Sequence, residues 1–165
     1  MKTGDKAPEF SLIGTDGFIH TLKDYKGFKG ICLCFLSLTC EESKKSFSLL
    51  KELNQRYKQK SIAFIGIFQK EEKETFTASL EKLNRLELGF DLLLDATNDL
   101  LNKFKVKTRF HCYIFNQSKL LIYSGRILEN PEKADSRNFV SLALDQLVGG
   151  LPIENPCTEV TKNLV

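Results

Sequence analysis

Two unbroken apolar runs, "ICLCFLSL" (Ile31–Leu38) and "SIAFIGIF" (Ser61–Phe68), flank one amphipathic segment, Glu41–Tyr57. A strand that covers one face of a sheet alternates apolar and polar residues. A run that is apolar at every position needs cover on both faces. Between the runs, Ser43, Phe47, Leu50 and Leu53 recur on one side at helical spacing. Strand, helix, strand, with both strands two-sided, predicts a central sheet covered on both faces in an α/β fold with right-handed crossovers.

The remaining pattern extends that unit in both directions. Strands are predicted at Gly30–Leu38, Ser61–Phe68, Asp91–Leu94, Cys112–Phe115 and Leu120–Tyr123. Helices are predicted at Glu41–Tyr57, Glu72–Leu86, Asp99–Phe104 and Ser136–Val148. The last two strands are joined by "NQSK", short enough for a hairpin, and "PEFSLIGTDGFIHTL" centres a second hairpin on Asp16–Gly17. With no linker and no repeat, the 165 residues divide into one domain, 1–150, and a tail, 151–165. The order of elements is that of a thioredoxin-like fold: α/β, with a central mixed sheet flanked by helices and an N-terminal β-hairpin extension.

Charge excludes some partners. The 24 basic and 21 acidic residues are well mixed and give a net charge of only +3, so no basic arm for nucleic acid is formed. The start, "MKTGDKAPEFSL", lacks a signal-peptide core, and no apolar run reaches the ~20 residues of a membrane span. The expected location is cytoplasmic.

Five cysteines (Cys32, Cys34, Cys40, Cys112, Cys157) are scattered and odd in number, which is no disulfide framework, and no Cys-x-x-Cys pair suggests zinc. Cys32 and Cys34 alternate within the first apolar run and read as buried packing. Cys40 differs, because it falls where strand gives way to helix. Unpaired amides and the dipole at a helix N-terminus stabilise a thiolate. Lys44 and Lys45 add to this and Glu41 and Glu42 oppose it. The histidines add no metal spacing, and no motif asks for a cofactor. His20 reads as a surface residue. His111 and Cys112 are adjacent on a strand, so at most one can face Cys40.

The opening "GDKAPEFSLIGTDGFIHTLKDYKG" resembles the common start of redoxins, the branch shared by peroxiredoxins of the AhpC/TSA type and thiol–disulfide proteins. "SIAFIGIF" is similar to their second core strand and "FNQSKLLIYSGRI" to their terminal hairpin. The resemblance covers nearly the whole chain, thinning after Glu129. It implies that Cys40 is the reactive cysteine.

The same resemblance exposes departures. Where thioredoxins carry a second cysteine, this chain has Ser43, and where they carry tryptophan it has Thr39. The peroxiredoxin hydroxyl position falls on Ser37, a candidate to hydrogen-bond a peroxide, but the motif proline is Leu33. Arg109 lies one residue from the family's arginine, a shift that turns a strand side chain to the other face. The cis-proline that redoxins place beside their cysteine aligns with Phe110, for which a trans peptide is expected. Cys157 is the candidate resolving thiol, a role also open to an external one.

Two functions are therefore expected. One is a redoxin acting through Cys40, with Ser37, Arg109 and Cys157 assisting, Thr39, Ser43 and Phe110 lining the substrate groove, and a peroxide or a protein or low-molecular-weight thiol as substrate. The alternative is a degenerate redoxin serving as a binding module or redox sensor, its partner seated near Phe110, with a homodimer as a candidate assembly.

Overall fold

The computed structural model describes residues 1–106, 111–130, 132–133 and 136–158. Eight strands form one sheet: β1 (Ser11–Gly14), β2 (Ile19–Thr21), β3 (Gly30–Leu36), β4 (Ile62–Gln69), β5 (Asp91–Asp95), β6 (Cys112–Asn116), β7 (Leu121–Gly125) and β8 (Cys157–Thr158). Four α-helices accompany them: α1 (Glu41–Tyr57), α2 (Phe76–Asn84), α3 (Asp99–Phe104) and α4 (Phe139–Val148). Spatial order is β2-β1-β5-β4-β3-β6-β7-β8. Parallel pairing joins β3 to β4, and β4 to β5, whereas β6 runs antiparallel to β3. The mixed sheet and the hairpin around Asp16–Gly17 are those anticipated from the pattern.

Every residue of β3 is buried, and alternate side chains enter separate cores. Cys32, Cys34 and Leu36 join Leu50, Leu53 and Tyr57 of α1 and Val140 and Leu144 of α4. Ile31, Leu33 and Phe35 join Leu100 and Phe104 of α3 and Phe10, Leu22 and Tyr25 from the N-terminal region. That division explains the unbroken apolar run: period-2 alternation persists in direction but not in polarity. On the second face Phe104 packs edge-on against Phe35 (5.1 Å between ring centroids) and Tyr113 (4.8 Å).

The sheet extends beyond the sequence reading at one edge. The segment read as a tail adds β8, parallel to β7. Thr158 Oγ1 meets the Tyr123 hydroxyl and accepts from the Arg126 N–H. A Cβ at Gly125 would overlap Thr158, so this position lets the edge strand close. At the opposite edge His20 is a clasp rather than a free surface residue. Its Nε2 lies 2.8 Å from Asp16 Oδ2, and its Nδ1 faces the Tyr25 hydroxyl, which donates to Asp91. Burial pushes the Asp16 carboxyl up, but His20 and the Phe18 N–H outweigh it and hold the group below its usual 3.8.

Two outcomes follow for stability. The Tyr57 hydroxyl donates to Asp145 (2.6 Å) and sits 2.8 Å from Ser141 Oγ, tying α1 to α4. Tyr57→Phe is expected to cost about 1–2 kcal/mol, read as a lower urea midpoint at unchanged m-value. Asp16→Asn is expected to lower the urea midpoint slightly near neutral pH. Because the folded-state value is depressed, the wild-type advantage is full above 3.8 and fades as pH falls through and below it.

Candidate active site

β3 ends at Leu36, and the chain turns through Ser37, Leu38 and Thr39 before α1 starts. Side-chain oxygens hold this turn. Ser37 Oγ accepts from the Thr39 N–H (3.2 Å) and lies 3.1 Å from Thr39 Oγ1. Ser43 Oγ, one turn into the helix, accepts from the Ser37 N–H (2.8 Å). Cys40 is thereby fixed as the residue preceding the first helical turn, extended at φ −92°, ψ 119°. Its carbonyl accepts from the Lys44 N–H, while its thiol makes no capping bond.

The thiol therefore stands, half-buried, at the positive end of a 17-residue helix. The first amides of any helix have no partner within it, so this is where a sulfur anion is best accommodated. Lys44 is partly engaged by Glu41, 3.5 Å away and exposed like it.

The other anticipated site residues divide sharply. Ser37 and Thr39 stay with Cys40 in the turn. Ser43 does not line a groove: it is fully buried and its oxygen is occupied by the Ser37 amide. Cys157 is not brought to Cys40. It is exposed on β8, and register carries it through Ser124 and Tyr113 to Leu33. Both thiols are free, and Cys157 lies three strand spacings of ~4.8 Å from β3, roughly 14 Å across the sheet. Arg109 and Phe110, with the peptide geometry expected there, lie outside the described residues.

His111 is also excluded as the base for Cys40. It is buried, 2.8 Å from Ser124 Oγ, with its ring 4.6 Å from that of Tyr113. Tyr113 belongs to the face opposite α1. Cys112 belongs to the α1 face, as the adjacency of the two residues requires.

Several groups at the same sheet edge escaped sequence reasoning. Gln69 ends β4 and Arg126 follows β7, two strands whose direction matches β3, and each carries a buried nitrogen (Nε2 and Nε) without a hydrogen-bond partner. Their only sequence signal was a polar residue at the end of an apolar run. Asp95, fully buried on β5, is spent on capping α3 through the Leu100 and Leu101 amides. Cys112 joins Cys32 and Cys34, with all three sulfurs within 4.8 Å of one another. Burial pushes the Cys34 and Cys112 thiols up, while hydrogen bonds from Cys112 and Cys34 draw Cys32 down.

A sole thiol at the first turn of the helix that follows the first core strand, in a mixed sheet with an N-terminal hairpin, defines a thioredoxin-fold redoxin. The chain belongs to the AhpC/TSA family, whose model matches residues 3–124. It is 28% identical over 106 residues to the thiol-disulfide oxidoreductase ResA of Bacillus thuringiensis subsp. konkukian, covering 64% of this chain and 59% of that protein. The match thus spans less than two thirds of that relative. Among solved structures, a hypothetical protein from Sinorhizobium meliloti 1021 superposes with a TM-score of 0.84 at 18% identity, over 97% of this chain and 90% of that one. A putative thiol:disulfide interchange protein DsbE from Chlorobium tepidum gives 0.71 at 19% identity, over 91% and 97%. Both establish the fold. No helix among the described residues is long and apolar enough to cross a membrane.

Ser43→Ala is expected to strand the Ser37 amide and cost about 1–3 kcal/mol, measured by urea denaturation. In the native wild type, iodoacetamide followed by peptide mapping should label Cys40 and Cys157 and spare the three buried thiols.

Proposed function

We propose that this redoxin is a one-cysteine thiol oxidoreductase in which Cys40 attacks the O–O bond of a peroxide or the S–S bond of a disulfide. The observation that supports it is the position of Cys40: half-buried at the start of α1 and uncapped, where Cys32, Cys34 and Cys112 are sealed in the core.

With a peroxide, the thiolate sulfur takes the terminal oxygen, the O–O bond breaks, and the departing alkoxide or hydroxide leaves protonated. Cys40 becomes a sulfenic acid, oxidised by two electrons. An external thiol condenses with it, releasing water and leaving a mixed disulfide. A second thiol then attacks that bond, regenerating Cys40 and carrying away the oxidised pair. With a disulfide substrate the first step yields the mixed disulfide directly. Ser43 supplies no second sulfur within the helix turn, so an external thiol completes either cycle. A reducing compartment such as the cytoplasm supplies it.

In this reading Ser37 and Thr39 hold the turn, and their hydroxyls lie 3.1 Å apart in the segment that leads into Cys40. Gln69 and Arg126 bring unpaired N–H donors to the same edge of the sheet, the side on which open α/β sheets bind ligands.

The test is turnover of hydrogen peroxide and of glutathione disulfide with dithiothreitol as reductant, alongside intact-mass analysis of the oxidised protein. Cys40→Ser should abolish both activities and prevent the sulfenic acid and mixed-disulfide adducts. Cys157→Ser should retain them. A wild type in which Cys40 takes up neither adduct, or a Cys40→Ser variant with undiminished turnover, overturns the proposal. The first of those outcomes would favour a binding module.

A further inference from the structure

The three buried cysteines form a second sulfur site, independent of Cys40. Cys32 and Cys34 project from the same face of β3, with their Sγ atoms 3.9 Å apart. Cys112 sits directly across from Cys34 on β6. The adjoining pair carries the ladder bond from the Phe35 N–H to the His111 carbonyl, so Cys34 and Cys112 form the close, non-bonded type of cross-strand pair. All three sulfurs lie within 4.8 Å of one another, at exposures of 0, 1 and 0%. Metal–sulfur bonds of ~2.3 Å allow two sulfurs on one ion to stand no more than ~4.6 Å apart. Small side-chain adjustments bring this trio into range.

The surroundings decide which ion suits it. Among the described residues, no imidazole, carboxylate or fourth thiol joins the group. Tetrahedral zinc wants a fourth ligand. Leu36, Leu50, Leu53, Ile114 and Val140 belong to the same core, and the guanidinium groups of Arg126 and Arg137 meet it at the Phe139 ring, 5.8 and 5.5 Å from its centroid. A monovalent soft ion on three thiolates would leave two net negative charges there, a severe desolvation cost. The strand amides are spent in the sheet and cannot offset it.

A trivalent ion taking three sulfurs gives a neutral complex. We propose that Cys32, Cys34 and Cys112 form a three-coordinate, all-sulfur site for a trivalent thiophilic metalloid of the arsenic(III) class. Loading is a ligand exchange without electron transfer. Arsenous acid, As(OH)3, is uncharged at neutral pH. Its three As–O bonds are replaced by three As–S bonds, each cysteine gives up one proton, and three waters leave. No charge is created in the core at any stage. A small neutral solute enters through local opening of the fold or while the chain folds. Once bound, it joins β3, the strand that leads into Cys40, to β6.

The test uses the Cys40→Ser/Cys157→Ser double variant, which leaves only the trio. Reduced protein is incubated with arsenite, both as the native chain and during refolding from urea, then desalted and examined by native mass spectrometry and circular dichroism. The expected product is a folded chain that has gained one arsenic and lost three hydrogens, with a raised thermal midpoint. Introducing Cys34→Ala should eliminate that three-sulfur species. Absence of arsenic on the folded chain under either loading condition overturns the proposal. So does an adduct heavier by one water on the parent double variant, the mark of only two sulfur bonds. The three-sulfur mass on the parent double variant decides the matter even if Cys34→Ala fails to fold.

Discussion

The structure depends on the burial of β3 from both sides. The six residues after Gly30 supply alternate side chains to two cores, one beneath α1 and α4 and one beneath α3 and the N-terminal region. A fully covered strand has little freedom to shift in register, because a slip of one residue would exchange both sets of side chains between cores. That rigidity reaches Leu36, and only afterwards does the chain turn. The Cys40 thiol is therefore held by a three-residue turn, Ser37 to Thr39, anchored at both ends: to the sheet on one side and to α1 on the other. Preorganisation of this kind asks little of the loop itself.

The fold was legible because its determinants are local and periodic. Both two-sided strands, the amphipathic run of α1 and the Asp16–Gly17 turn state their geometry within a few residues. The helices are where context intervened: α2 begins at Phe76 rather than Glu72, where Thr75 caps it by accepting from the Ala78 N–H. α4 begins at Phe139, where Asn138 does the same for Ser141. β8 was invisible because two residues carry no period. They become a strand only through β7, Tyr123 and Gly125.

The site was legible in part for the same reason. Cys40 announced itself by sitting where one periodicity replaces another. Partnerships that depend on register did not. The meeting of Cys112 with Cys34, the diversion of His111 to Ser124 and the distance between Cys157 and β3 are all consequences of how β6, β7 and β8 align. The same holds for the orphaned nitrogens of Gln69 and Arg126. Family membership gives the position of the sulfur but leaves its chemistry to be argued from the neighbours.

Ser43 bears on how such a protein changes over time. Its oxygen is committed to the Ser37 amide, and that bond shapes the turn presenting Cys40. Replacing Ser43 by cysteine would restore a dithiol spacing on paper, yet a thiol is a weak acceptor. The regained sulfur would come with a loosened loop. The single-thiol state is thus protected by a ratchet: the way back to two cysteines passes through a chain that first loses the geometry of the one it has.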